Sequence, residues 1–272
     1  NCNTQLASTL SDVFRLQNVS TKRRERINSD EEERLRLGYE IRTGFAFSQV
    51  NNHLCRCSAI IKSGDSDLAA LTYGHAATLY RINLGWTRRE NKQQLGYVLD
   101  LERGYWERNN MLETDDSGDP LSGTSRRVIP YVEDRKNCII LEPKEKLSVA
   151  QLTSLQAAFK NAMQVVFQLE DSELATERLP DTDDPRMILF YEAAEGGAGV
   201  LRRLIDDPQM ISQIARQALT LCHFDPDSGA DMGKAPGSRE NCEAACYDCL
   251  MSYSNQPKLA LSASFNQSLE KS

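Results

Sequence analysis

Apolar residues change their rhythm once along this chain. From Leu37 to Phe47 and from Leu54 to Lys62 they alternate with polar residues or run together over strand lengths, the period-2 signature of a sheet with a covered face. Leu68 to Trp86 predicts two further strands around Gly74, and Leu95 to Trp106 a tyrosine-rich hairpin that turns at Arg103-Gly104. Asn137 to Leu141 is a short apolar strand holding Cys138. From Ser148 onward the period lengthens. Val149, Leu152, Leu155, Phe159, Ala162, Met163 and Val166 recur on one side at helical spacing, and Ser148 with Gln151 makes a capping-box pattern. Met187 to Tyr191 returns to strand type, Glu195 to Gly199 forms a glycine turn, and a helix starts near Val200. Asp207-Pro208 opens another helix, running through Met210, Ile211, Ile214, Ala218 and Leu221 to Cys222. The pattern predicts a mixed α/β (α+β) chain with a β-rich first half, 1–145, and a helical, cysteine-bearing second half, 146–256. A polar tail, 257–272, is not expected to be ordered. The segment from Glu113 to Ser125 reads as a mobile loop.

Composition adds few surprises. With 272 residues and 40% of them apolar, the chain can bury a core without covalent staples. Eight cysteines are too thinly spread for a disulfide scaffold, and the amino terminus lacks the order of a secretion signal. A reducing, cytoplasmic setting is therefore expected. No apolar run approaches the roughly 20 residues of a membrane-spanning helix. A first residue Asn1 rather than methionine reads as a fragment or a processed chain.

The formal charge of -7 works against broad binding to a polyanion, because phosphate contacts need clustered lysine and arginine. Local basic groups remain candidates for a DNA contact: Arg23, Arg24 and Arg26 in the Lys22 to Arg26 run, and Arg88 with Arg89. Arg126-Arg127 and Arg202-Arg203 are further pairs. Tyr80, Trp86, Tyr97, Tyr105 and Trp106 offer rings for base stacking or for packing within a sheet. The turn Glu195-Gly196-Gly197-Ala198-Gly199 invites a phosphate-binding reading, yet Glu192 and Glu195 precede it and no Gly-Lys-Ser/Thr follows. Close helix–strand packing at positive φ is the better account.

Cysteines 242, 246 and 249 form a C-x3-C-x2-C group, with Cys222 upstream across a loop rich in Asp, Gly and Pro. Zinc takes four soft donors in a tetrahedron, and one knuckle-like turn plus one distant residue provides them. The polar flanks Glu240, Asn241, Glu243 and Asp248 do not suit a core strand. The expected ligands are Cys222, Cys242, Cys246 and Cys249, with His223 as an alternative fourth donor and a pair of disulfides as the competing arrangement. Four protein ligands leave no position for water, which makes the zinc structural. Cys55, Cys57 and Cys138 read as packing residues. Only His53, His75 and His223 occur, with no H-E-x-x-H, G-x-S-x-G or Walker sequence. The chain is expected not to be an enzyme.

Several stretches resemble a known family. The run from Ser20 to Arg34, then Gly38-Tyr39-Glu40, and the segment Ala77 to Trp86 resemble the region after the motor core of large bacterial DEAD/DEAH-box (superfamily 2) helicases. Tyr191-Glu192, Gly196 to Gly199, and Cys242, Cys246, Cys249 and Leu250 resemble the MrfA-type zinc-binding domain that ends such helicases. The resemblance implies zinc on Cys222, Cys242, Cys246 and Cys249, helicase motor domains upstream as partner, and a role in DNA repair or phage defence. Beyond Pro257 the pattern is lost. The function expected is an accessory module that braces the motor and helps hold or route a DNA strand. A module docking a protein subunit is the alternative, and a standalone metal-dependent hydrolase a more distant one.

Overall fold

The computed structural model describes residues 10–17, 38–107, 121–181, 184–194, 197–236, 238, 241–242, 245–246 and 249–250. Ten strands and three helices lie within them: β1 (Val13–Arg15), β2 (Tyr39–Ala46), β3 (Gln49–Val50), β4 (His53–Leu54), β5 (Arg56–Ser63), β6 (Ser66–Trp86), β7 (Tyr97–Asp100), β8 (Ser125–Pro143), α1 (Val149–Phe167), β9 (Leu174–Leu179), β10 (Met187–Glu192), α2 (Val200–Asp206) and α3 (Met210–Leu221). The fold is α+β, with the helices of the described residues in the second half. Two compact units share the chain, one made of Asn1–Gly44 and Tyr80–Asp134, the other of Phe45–Leu79 and Arg135–Ser272. Arg23, Arg24 and Arg26, Cys2, most of the expected 113–125 loop and the whole 257–272 tail fall outside the described residues.

In the first unit, β1 runs parallel to the start of β8, with Val13 opposite Ile129. β7 runs antiparallel to the same stretch, with Tyr97 opposite Val128. The predicted hairpin is present: Leu99 bridges Trp106, and Gly104 at φ 74 donates its N–H to the Asp100 carbonyl. Asp100 is fully buried. Its carboxylate accepts from the Glu102 and Arg103 amides and from both the amide and the hydroxyl of Ser122, which holds its pKa down at about 2, the Ser122 hydroxyl counting most.

The second unit contains the helices. β8, β10 and β9 lie side by side and antiparallel, with Phe190 opposite Ile139 on one flank and Thr176 on the other. Both faces of β10 are covered. Ile188 and Phe190 join Ile139, Leu141, Leu152, Met163, Leu201 and Ile214 beneath the helices, whereas Leu189 and Tyr191 pack with Ala77, Leu79, Cys138 and Ile140 on the reverse. Double burial is the reason Met187 to Tyr191 is apolar without alternation. α1 packs on α3, β9 and β10. Its capping box is formed, with the Ser148 hydroxyl accepting from the Gln151 amide and the Gln151 side chain accepting from the Ser148 amide.

Gly74 does not mark the break between strands that the sequence suggested. It lies inside a single 21-residue strand, β6, because a Cβ there would sit 2.5 Å from the Phe47 ring. Glycine at this point admits a ring against the strand rather than ending it.

Candidate metal centre

α3 ends in a way that aims a side chain. The amide of His223 donates to the Thr220 carbonyl and that of Phe224 to the Leu219 carbonyl, the paired bonds of a Schellman motif in which the residue after the cap turns left-handed. Glycine is the usual occupant of that position. Here it is His223, at φ 67, a conformation costly for a residue with a β-carbon.

The chain then folds back on itself. The Asp225 carboxylate accepts from the Asp227 and Ser228 amides and the Ser228 hydroxyl, Phe224 bridges Asp231, and the Met232 amide returns to the His223 carbonyl. The Cys242 amide donates to the Gly233 carbonyl at 2.7 Å, delivering the cysteine segment beside His223. The knuckle closes with the Cys249 amide on the Cys246 carbonyl, and with the Cys246 amide aimed at Cys249 Sγ at 3.0 Å. α1 secures it from outside: Asn161 Nδ2 donates to the Cys249 carbonyl at 2.7 Å.

The outcome is a group of four donors, His223, Cys242, Cys246 and Cys249, whose ligand atoms all lie within 4.8 Å of one another. Cys242 Sγ and Cys249 Sγ are 3.8 Å apart and His223 Nε2 is 3.1 Å from Cys246 Sγ. A tetrahedron with Zn–S bonds of about 2.3 Å has edges of roughly 3.7 Å, so the donor spacing fits the metal. The Cys242 and Cys249 sulfurs are too far apart for a disulfide, whose bond is about 2.05 Å. His223 is buried. Burial raises the Cys242 thiol to about 12, with the charge of Cys249 adding to the effect, and burial raises Cys222 to about 11, with Cys249 and Cys246 contributing. A cluster of thiols that suppress one another's ionisation is relieved by a divalent cation, which takes the thiolate form. The four donors are positioned for zinc.

Residues 155–250 match the MrfA Zn-binding domain. The match covers the part of α1 from residue 155 onward, Asn161 included, and all four donors. Among solved structures, one similar chain is described as the DUF1998 helicase MrfA bound to DNA, at a TM-score of 0.38 and 12% identity, over 83% of this chain and 25% of that one. This chain thus spans about a quarter of that helicase's length. No curated protein matches the sequence.

The fourth donor is where sequence and geometry diverge. Cys222 is the C-cap of α3 and half-buried, near enough to feel the charges of Cys246 and Cys249. It lies outside the group of mutually close donors, whereas the alternative donor His223 lies within it. The other described cysteines lie outside the donor group. Cys138 is buried in the core, its thiol raised to about 11 by desolvation, and Cys57 Sγ is 3.6 Å from an Arg202 guanidinium nitrogen.

The glycine turn has an internal partner. Gly197 has φ +71, and a Cβ on it would fall onto the Glu192 carboxylate. Glu192 is fully buried, accepting from the Leu201 amide at the start of α2 and from Asn137 Nδ2. Its carboxylate stands where a phosphate would have to sit.

The arginine pairs separate as well. Arg89 is largely buried, donating to Glu40 and to the Trp86 and Lys92 carbonyls, whereas Arg88 is exposed. Arg202 pairs with Asp206 and lies over Tyr73, Arg203 lies over Phe167, and Arg127 donates to the Gly96 carbonyl. Among the described residues, no helix is long and apolar enough to cross a membrane.

Proposed function

We propose that this chain is the zinc-bearing accessory module of an ATP-dependent DNA helicase, working in the cytoplasm in repair or phage defence. The observation that carries this reading is the four-donor cluster inside the segment that matches the MrfA Zn-binding domain. Zinc, when bound, cross-links the end of α3 to the knuckle and, through Asn161, to α1. Its role is to hold shape. Four protein donors leave no site for an activated water, and the sequence has none of the phosphate- and Mg²⁺-binding motifs of a motor. The upstream motor domains supply the work, and this module braces them and helps guide a DNA strand.

Two measurements test this. Elemental analysis of reduced protein, purified without chelator, is expected to give one zinc per chain. Binding of the chain to single-stranded DNA is expected to weaken steeply with salt, as phosphate contacts require, while ATP hydrolysis stays at background. A zinc-free but fully folded reduced protein, or turnover removed by a point substitution in this chain, contradicts the reading.

A further inference from the structure

The first unit carries a row of aromatic rings that its packing covers only in part. Tyr39 stacks on Trp86 at 4.5 Å between ring centroids, Trp86 meets Tyr97 edge-on at 6.3 Å, and Tyr97 meets Trp106 edge-on at 6.1 Å. Tyr39 is 40% exposed, and so is Tyr105, next to Trp106, at 42%; Trp86, Tyr97 and Trp106 are half-buried, each keeping part of its ring at the surface. Among the described residues of this unit, the buried apolar side chains are aliphatic instead: Leu84, Leu99, Val128 and Ile129. Leaving several large rings at a surface keeps apolar area in water, which a contiguous patch does at a cost and generally for a partner.

The rings are also held in place. The Tyr97 hydroxyl donates to Asn83 Oδ1, which accepts from the Gly85 amide as well. Gly85 has φ +116 and Gly96 has φ +75, and a Cβ on Gly96 would run into the Val128 backbone. The strand ends bearing Trp86 and Tyr97 are thus drawn together by positions only glycine can fill. Arg89 fastens the following turn through Glu40 and the Trp86 and Lys92 carbonyls. Arg88, two residues after Trp86, is exposed, and Arg103 lies over Tyr105 at 5.1 Å.

We propose that Tyr39, Trp86, Tyr97 and Trp106 form a stacking platform for the bases of single-stranded DNA, with Arg88 contacting the backbone phosphate. Fixed aromatic faces beside a cation are what a sequence-tolerant single-strand site needs, because every base has a π-face and every linkage a charge. The inference rests on the strand-handling reading above and places that role on a different unit from the zinc.

The chain has two tryptophans, Trp86 and Trp106, and both belong to the row. Tryptophan emission, excited beyond the tyrosine absorption band, therefore reports on this site alone. Titration of the full chain with an oligothymidylate at low salt is expected to quench tryptophan emission saturably, in step with the anisotropy of a labelled copy. Trp86→Leu and Tyr39→Leu should each weaken binding by about ten-fold, in the range of one lost base–ring stack, and Arg88→Ala should make the salt dependence shallower. Near-UV circular dichroism of Arg88→Ala and Tyr39→Leu, both at exposed positions, checks that the fold persists. Oligonucleotide binding without a change in emission would overturn the platform and leave the helicase-module reading standing. Absence of binding, with zinc loaded, would overturn both. Quenching by a proline-rich peptide but not by the oligonucleotide would make the row a peptide site and overturn the proposal.

Discussion

His223 holds a left-handed backbone conformation at φ 67 with a buried imidazole whose Nδ1 has no hydrogen-bond partner. Both features are costly, and both sit at the place where Nε2 faces a thiol. A metal bond at Nε2 would offset the backbone strain, and the place of His223 among the three mutually close thiols favours it over Cys222 as the fourth donor. The two assignments differ in proton release. A thiol must give up its proton to bind zinc and a neutral imidazole need not, so a site of three thiols and a histidine is expected to release one proton fewer than a four-thiol site. Calorimetry in buffers of different ionisation enthalpy measures the number, and X-ray absorption reads the nitrogen directly. His223→Ala should weaken zinc binding far more than Cys222→Ser; the reverse order assigns Cys222. Asp100 is a second decisive residue. Its pKa is held near 2 by Ser122 and three backbone amides, below the usual carboxylate range, so its contribution to stability is present above about pH 4 and is lost as pH falls through about 2. Hydrogen exchange in the 97–107 hairpin should rise across that window in the native chain. In Asp100→Asn, the hairpin should already be loosened at neutral pH and respond little to acid.

α1 shows how an element prepares a site without touching the metal. Its capping box starts it, its apolar stripe buries Leu152 and Met163, and Asn161 reaches out to the Cys249 carbonyl. Asn161→Leu removes that anchor and leaves a carbonyl unsatisfied, a loss of about 1–3 kcal/mol; zinc affinity should fall by about ten-fold or more, as for other residues that orient ligands. Competition with a chelating dye would show it, and an unchanged affinity would mean the knuckle stands without α1. The cap, the helical stripe, the hairpin turn at Arg103-Gly104 and the cysteine knuckle were legible because each rests on contacts within a few residues. The length of β6 was not, since the reason for Gly74 is the ring of Phe47, 27 places earlier in a fold the sequence does not display. Arg88 and Arg89 look alike in sequence, and it is Glu40 on β2, together with the Trp86 and Lys92 carbonyls, that holds Arg89 down and leaves Arg88 exposed. The position of His223 rather than Cys222 among the donors depended on the hand of one backbone turn.

At the scale of the molecule, zinc and core stabilise different regions. The sheet of the second unit is covered on both faces by apolar side chains, whereas the stretch from Cys222 to Leu250 relies on turns, a short bridge and the donor cluster. Structural zinc contributes roughly 10–16 kcal/mol of apparent binding free energy in small domains, comparable to a whole domain's stability. Cys246→Ser, or chelation, should therefore raise exchange first in that stretch, while β8, β9 and β10 remain protected. Uniform loosening of both would show that the core depends on the metal too. The strained turn after α3 also sets how the centre comes apart and refills. With the ion gone, the two Schellman bonds and the Met232 amide are left to hold His223 against its left-handed strain; if φ relaxes, Phe224 is expected to leave in a new direction and the hairpin that presents Cys242 to go with it. Emptying the site thus dismantles it, and reloading has to wait for the turn to rewind. Zinc uptake by the metal-free chain is expected to reach a rate ceiling as zinc is raised, visible by stopped-flow, whereas a preformed cup would fill ever faster.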